Sequence, residues 1–260
     1  MDLGLTDRLV VVTGASGGLG GVLVRTLRAE GARVAAQGFT AAASLADEFA
    51  DDHGTNVIRA DLSDASSVDA MFRQAEAWGG PVDAVVAAAG RWPQPRRRID
   101  ETPPDALDQA LTDNLRSAVW TARGLFGALG RSGPRPGGAS LVLVGSTAGR
   151  FGEAGHVAYA AAKAGLRGLC LTLKNEIVEL DPAGRVNLVE PGWIATERVR
   201  GALAAPGAVE RATRTMPLRR VAAPEDVARV IVGLLSPVMS RHLTGTIVPI
   251  AGGMEGRVLW

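Results

Sequence analysis

Short runs of Val, Leu, Ile and Ala alternate with longer segments of helical period along nearly the whole chain. The first run, Leu9–Val12, is apolar throughout and gives way to a glycine-rich turn. Over Val22–Glu30 the period puts Leu23, Val24 and Leu27 on one face, and Gly31 ends the helix. Further strands are predicted at Arg33–Ala36, Asn56–Leu62, Val82–Ala89, Ser140–Val144, Arg185–Val189 and Thr246–Ile250. Between them, helices are predicted over Ala41–Asp52, from an N-cap at Ser63 to Trp78, and over Pro104–Leu129, Ala154–Leu180 and Glu225–Leu235. Strands without polar alternation are covered on both faces, as in a parallel sheet. Strand–helix alternation of this length predicts one α/β domain over residues 1–260, a doubly wound parallel sheet. Two irregular stretches, Arg91–Pro103 and Trp193–Pro217, each follow a strand's C-terminal end, where such sheets place ligands. The 193–217 segment is expected to form a mobile substrate loop.

Composition narrows the class. The 260 residues are 47% hydrophobic and 21% charged, with a net charge of +1. That apolar fraction excludes a disordered chain, and the balanced charge gives no reason to expect nucleic acid or an anionic membrane as partner. One cysteine, Cys170, excludes an internal disulfide framework and reads as core. The opening MDLGLTDR lacks the basic and long apolar regions of a signal peptide, and no run of 18 apolar residues suits a transmembrane helix. A cytoplasmic protein is expected. His53, His156 and His242 are scattered along the chain, so no metal site is expected.

The turn TGASGGLG, from Thr13 to Gly20, joins the first strand to the first helix. Glycines there let the backbone turn tightly and approach a pyrophosphate, while the helix N-terminus offers free N–H groups to it. The spacing is TGxxxGxG, carried by Gly14, Gly18 and Gly20, with Ser16, Gly17 and Leu19 between them. A second constellation lies further on. Tyr occurs once, at Tyr159, and Lys only at Lys163 and Lys174. Tyr159 and Lys163 are four apart on a predicted helix and share a face. A nearby ammonium favours phenolate, which suits the tyrosine to proton transfer at neutral pH. Ser146, at the end of a predicted strand, is placed to hydrogen-bond a substrate oxygen.

TGxxxGxG, DNLRSA with Asn114, Ser146, YAAAK with Tyr159 and Lys163, PGWIAT, and Arg220 before PEDVA occur in order. The chain thus resembles the short-chain dehydrogenase/reductase family over essentially its full length. The resemblance implies a Rossmann fold and hydride transfer between NAD(P)(H) and a carbonyl or alcohol. Its implied catalytic set is Asn114, Ser146, Tyr159 and Lys163, with Asn114 kinking its helix. Its implied cofactor contacts are Gly14, Ser16, Gly17, Gly18, Leu19, Gly20, Gly38, Phe39, Thr40, adenine contacts at Asp61 and Leu62, then Ala89 and Gly90. Tyr159, Lys163, Pro191, Gly192, Ile194 and Thr196 complete that set, with Thr196 on the nicotinamide amide. Two departures stand out. Ala87 and Ala88 replace a usual Asn pair, which should cost local rigidity, and Ala251 replaces a usual Asp.

NAD enzymes place an acid at the end of the second strand, on the ribose 2′-hydroxyl. Here Gln37–Thr40 holds no acid, and the turn holds no base. NADP is therefore expected, with NAD the alternative. Trp92, Pro93, His156 and Trp193 are expected to line a cleft for a bulky or cyclic small-molecule ketone. Alternatives are a 3-oxoacyl-[acyl-carrier-protein] reductase, which the Arg96–Arg98 run would suit, and a dinucleotide-binding sensor without catalysis. The apolar stripes of the two long helices predict a homotetramer, a dimer being the smaller alternative, with the tail Val258–Trp260 in a second contact.

Overall fold

The computed structural model describes residues 2–92 and 95–256. Seven parallel strands form one sheet in the order β3-β2-β1-β4-β5-β6-β7. They are β1 (Leu9–Thr13), β2 (Arg33–Gly38), β3 (Thr55–Arg59), β4 (Val82–Ala87), β5 (Ser140–Val144), β6 (Arg185–Pro191) and β7 (Ile247–Ile250). From β1 the chain builds outward to β3, then returns to add β4 on the other side. The register pairs Val11 with both Ala35 and Val85. The crevice above the β1/β4 ends is thus the topological switch point.

The flat apolar strands predicted a sheet covered on both faces, and it is. Leu9 and Val11 face a core shared with α3 (Ala65–Gly79), α5 (Ser117–Ser132) and α7 (Val157–Leu180). Val10 and Val12 face α1 (Gly20–Ala29), α2 (Ala42–Glu48) and α10 (Pro224–Leu235). Cys170 is fully buried in the first core, and burial pushes its thiol up to about 11. Among the described residues no helix is long and apolar enough to cross a membrane.

Several boundaries differ from expectation for local reasons. Ser63 does not cap α3. Asp64 does, its carboxylate accepting from the Ser66 N–H at 2.9 Å, while the Ser63 hydroxyl donates to Asp61 at 2.7 Å. The single helix expected over Pro104–Leu129 is two, α4 (Pro104–Leu111) and α5, joined by a wide π turn over Thr112–Arg116. Asn114 Nδ2 donates to the Ala110 carbonyl at 2.9 Å, inserting a side chain into the helical ladder. The segment after Ser146 forms α6 (Thr147–Phe151), so α7 starts at Val157 rather than Ala154. The 193–217 segment holds two short helices, α8 (Glu197–Leu203) and α9 (Ala208–Ala212).

The apolar stripes assigned to subunit contact are largely used within the chain. Ala122, Leu125, Leu166, Leu173 and Ile177 are buried against the sheet. What α4, α5 and α7 leave outside is smaller: Leu111, Val157, Leu171 and Val178 are exposed, and Leu115, Trp120 and Leu169 are among those half-buried. Pro93 and the tail Val258–Trp260 lie outside the described residues.

Candidate active site

The glycine turn is tight because backbone meets backbone. Gly14 has φ +67°, and a Cβ on it would stand 2.7 Å from the Ala89 Cα. A Cβ on Gly18 would meet the Thr196 side chain at 2.8 Å, and one on Gly20 would collide with the Gly14 carbonyl. These positions leave room for backbone only, and bring the turn against both the β4 exit and the β6 loop. No side chain caps the N-terminus of α1, and its first turn carries no acid. That end therefore presents backbone N–H groups and a positive dipole to the crevice, an environment for phosphate oxygens.

Two side chains not singled out from the sequence hold the turn. Gln37 is buried, its Oε1 accepting from the Gly14 N–H at 2.8 Å and its Nε2 donating to the Ala60 carbonyl at 2.7 Å. Thr13 Oγ1 donates to the Val86 carbonyl and accepts from the Ala89 N–H, both at 3.3 Å. Strand ends β1, β2, β3 and β4 are thus tied without the Asn pair that Ala87 and Ala88 replace.

On the other side of the switch point, Ser146 caps α6. Its Oγ accepts from the Ala148 N–H at 3.1 Å, which leaves its own hydroxyl proton to donate outward. Tyr159 lies in the first turn of α7 and Lys163 in the next. Lys163 Nζ stands 5.8 Å from the Tyr159 ring centroid and donates to the Val144 carbonyl at 2.9 Å. Only 4% of Lys163 is exposed, and burial pushes its pKa down to about 8. Asn114 accepts from the Arg91 N–H at 3.0 Å and donates to the Arg91 carbonyl at 2.9 Å. A Cβ on Gly90 would lie 2.8 Å from Asn114 Oδ1 and 3.1 Å from Lys163 Nζ, so both groups converge on that glycine. One turn beyond Lys163, Arg167 grips the buried Glu190 of β6 through two bonds of 2.6 Å, fixing α7 to the sheet.

An open cleft of about 890 Å³ runs from the glycine turn to Ser146 and Tyr159. Its walls include Gly14, Ser16–Gly20, Gly38, Phe39, Thr40, Asp61, Leu62, Ala89, Gly90, Gly192, Ile194 and Thr196. Trp92 and Trp193 line it as well, their rings crossing at 78° with centroids 5.8 Å apart. Four expected residues are not on this wall. Asn114 and Lys163 are buried behind it, Pro191 is buried at the end of β6, and His156 lines a neighbouring pocket of about 190 Å³ that also reaches Tyr159. Sequence reasoning missed Glu153 and Arg59 in addition to Gln37 and Thr13. Glu153 is buried in the cleft wall and accepts from Trp92 Nε1 at 3.0 Å. Exposed Arg59 ends β3 beside Gly38 and holds its guanidinium 5.2 Å from the Phe39 ring centroid. Pairing of the second and third strands was the one available signal for Arg59.

A family model described as enoyl-(acyl carrier protein) reductase matches residues 14–255. An acetoacetyl-CoA reductase of Synechocystis sp. is 32% identical over 253 residues, covering 97% of this chain and 98% of that protein. An L-rhamnose 1-dehydrogenase (NAD(P)(+)) of Azotobacter vinelandii is 33% identical over 258 residues, covering 96% and 97%. Among solved structures, a short-chain dehydrogenase/reductase of the glucose/ribitol dehydrogenase type from Brucella melitensis superposes with a TM-score of 0.86 at 26% identity. That match covers 98% of this chain and 99% of the other. Fold, motif order and full-length similarity agree, and this chain belongs to the short-chain dehydrogenase/reductase family as an NAD(P)-dependent oxidoreductase.

Proposed function

We propose that this protein is an NADPH-dependent reductase of a bulky or cyclic ketone, running in reverse as a secondary-alcohol dehydrogenase. The observation that carries the reading is the meeting of Ser146, Tyr159 and the cation of Lys163 at one end of a cleft whose other end is a phosphate-sized glycine cradle. The glycine turn and the uncapped N-terminus of α1, opening on one cleft, fit a dinucleotide, with Asp61 and Leu62 assigned to adenine and Thr196 to the nicotinamide amide. Bound there, the nicotinamide supplies the hydride. Tyr159 gives its hydroxyl proton to the carbonyl oxygen as charge develops on it, and Ser146 donates a hydrogen bond to the same oxygen. Lys163 stabilises the phenolate left behind. Asn114 holds the bend that keeps Gly90 against Lys163.

The preference for NADPH rests on the end of β2. Gln37 is engaged with Gly14 and Ala60 and does not take the place of a ribose-binding acid. Thr40 offers a hydroxyl on the cleft wall, and the exposed Arg59 guanidinium over Phe39, itself a wall residue, supplies the positive charge that the glycine turn lacks. The similarity to an acetoacetyl-CoA reductase favours a second reading, reduction of a 3-oxoacyl thioester. Against the basic-loop argument for it, Arg98 is already paired with Asp100 and Glu101. We further place the protein in the cytoplasm, as a homotetramer.

The test is turnover of a ketone panel with NADPH and NADH, by wild type and Tyr159→Phe. The variant is expected to lose about 10²–10⁴-fold in kcat while its NADPH affinity, read by fluorescence, holds. Near-normal turnover by the variant overturns the assignment. NADPH binding with no turnover of any ketone by wild type favours a sensor.

A further inference from the structure

Among the described residues of the cleft wall, one charged side chain has no partner, and it is cationic. Arg91 is the single arginine or lysine on that wall. Three carboxylates share the wall, and each already accepts a hydrogen bond. Asp61 accepts from the Ser63 N–H at 2.9 Å and its hydroxyl at 2.7 Å, Asp113 from Gln109 Nε2 at 2.7 Å, and Glu153 from Trp92 Nε1 at 3.0 Å. No hydrogen bond, ion pair or ring contact among the described residues engages the exposed Arg91 guanidinium. Elsewhere on the surface, Arg25, Arg28, Arg123 and Arg131 each meet a carboxylate.

The backbone that carries this free side chain is fixed. Asn114 bonds both the Arg91 N–H, at 3.0 Å, and the Arg91 carbonyl, at 2.9 Å. The preceding residue is Gly90, where a Cβ would stand 3.1 Å from Lys163 Nζ. Consecutive Cα atoms are about 3.8 Å apart, so Arg91 begins one residue from the reaction centre. The same loop repeats the arrangement at Arg97. Its N–H donates to the Gly155 carbonyl at 3.0 Å, its exposed side chain is likewise unengaged among the described residues, and it lines the smaller pocket that also reaches Tyr159. Each cavity that Tyr159 lines thus has an unpartnered arginine in its wall.

A guanidinium presents five donors in a planar fork that matches the two oxygens of a carboxylate. Inside a cleft such a pair is less screened than on an open surface. Trp92, next in sequence, crosses Trp193 at 78° and offers flat apolar surface to a carbon skeleton. Cation and indoles side by side suit a ligand with an apolar body and an anionic group. We propose that Arg91, with Arg97 adding to the positive field around Tyr159, binds a carboxylate of the substrate, so that the substrate is a keto acid rather than a neutral ketone. The carboxylate lies a few bonds from the carbonyl, because Arg91 follows the glycine that abuts Lys163. The inference rests on the ketone-reductase reading and narrows its substrate class.

The experiment compares kcat/KM of the NADPH-saturated enzyme for 3-oxocyclohexanecarboxylate and its methyl ester. Wild type should favour the acid by about tenfold or more, and the preference should shrink in high salt. Arg91→Met keeps the apolar stem without the charge and should collapse the acid-to-ester ratio about fivefold or more, through the KM of the acid. Arg91→Lys keeps the charge but not the fork and should retain part of the ratio, and Arg97→Met should lose less of it than Arg91→Met. Calorimetric binding of cyclohexanecarboxylate to the enzyme–NADP⁺ complex reads the same contact without turnover and should weaken about fivefold or more in Arg91→Met. A wild-type ratio near one, or an unchanged ratio in Arg91→Met, overturns the inference. Weaker NADPH binding by Arg91→Met with the acid-to-ester ratio kept puts the guanidinium on a cofactor phosphate and overturns it as well. If the methionine variant does not fold, the lysine variant and the salt dependence decide. Failure of wild type to reduce either ketone, with carboxylate binding still dependent on Arg91, overturns the ketone-reductase reading and leaves the anion site standing.

Discussion

Replacing Lys163 by Met should stabilise the cofactor-free protein against a pH-dependent cost while removing turnover. Lys163 is an ammonium at 4% exposure whose one hydrogen bond shown is to the Val144 carbonyl. Burial lowers its pKa from 10.5 to about 8. At ~1.4 kcal/mol per pH unit this amounts to roughly 3 kcal/mol of stability lost in the folded state. The sign follows from proton counting. Between about pH 8 and 10.5 the unfolded lysine holds a proton that the folded one has released, so wild-type stability rises over that window. Below about pH 8 both states are protonated and the full cost applies. Met fills the side-chain volume without charge but leaves the Val144 carbonyl unmet, an offset of about 1–3 kcal/mol that does not vary with pH. Urea unfolding of wild type and Lys163→Met at pH 7, 8.5 and 10 separates the two contributions. The variant's stability relative to wild type should fall by about 2–3 kcal/mol from pH 7 to 10. A difference that stays constant across that range refutes the desolvation account, whatever its size at pH 7.

Other outcomes follow from the cofactor end and the surface. Arg59→Glu should lower kcat/KM with NADPH relative to NADH by roughly tenfold, with the effect weakening in salt because the site is exposed; a wild type that already prefers NADH refutes the NADPH reading. Gly38→Asp is the less clean version, since a Cβ there meets the Ala42 Cα at 3.0 Å. Hydrogen exchange over residues 193–217 should be fast in the free protein and slow with NADPH bound, and equal protection in both states argues against a substrate lid. Light scattering at micromolar concentration should give a tetramer, four times the 26.9 kDa chain; a monomer would show that Leu111, Leu171 and Val178 are merely exposed.

The cofactor half of the fold was legible because its signals are local. A strand, a glycine turn and a helix N-terminus are consecutive, and Gly14 and Gly20 are required by nearby backbone, Gly18 by the Thr196 side chain. Tyr159 and Lys163 were legible for the same reason, being one turn apart on one helix. What escaped depends on contacts between distant segments. Asp64 rather than Ser63 caps α3 because Asp61 engages Ser63 first, a choice among neighbouring polar residues that propensity does not rank. The π turn at Asn114 required knowing that its amide would take the Ala110 carbonyl. Gln37 looked like a missing acid, whereas its amide spans from Gly14 to Ala60 across the strand ends. Glu153 lies between Gly152 and Gly155, where an acid normally marks a solvated turn, yet it is buried and bonded by the indole of Trp92 from a distant loop.

This division also separates what is general in the site from what is particular. The groups proposed to act on the carbonyl are anchored to regular structure: Ser146 by the α6 cap, Lys163 by the Val144 carbonyl at the end of β5, and α7 by the Arg167–Glu190 pair. Such anchoring permits the burial of Lys163, because a lysine on a mobile loop would turn to water rather than accept a lowered pKa. The groups at the proposed substrate end of the cleft come from three loops, after β4, between α6 and α7, and after β6. Those loops touch each other through Trp92, Glu153 and Trp193 rather than through the sheet. Substitutions among these three can therefore change which ketone is held with little effect on the sheet, while any change at Lys163 alters both stability and chemistry.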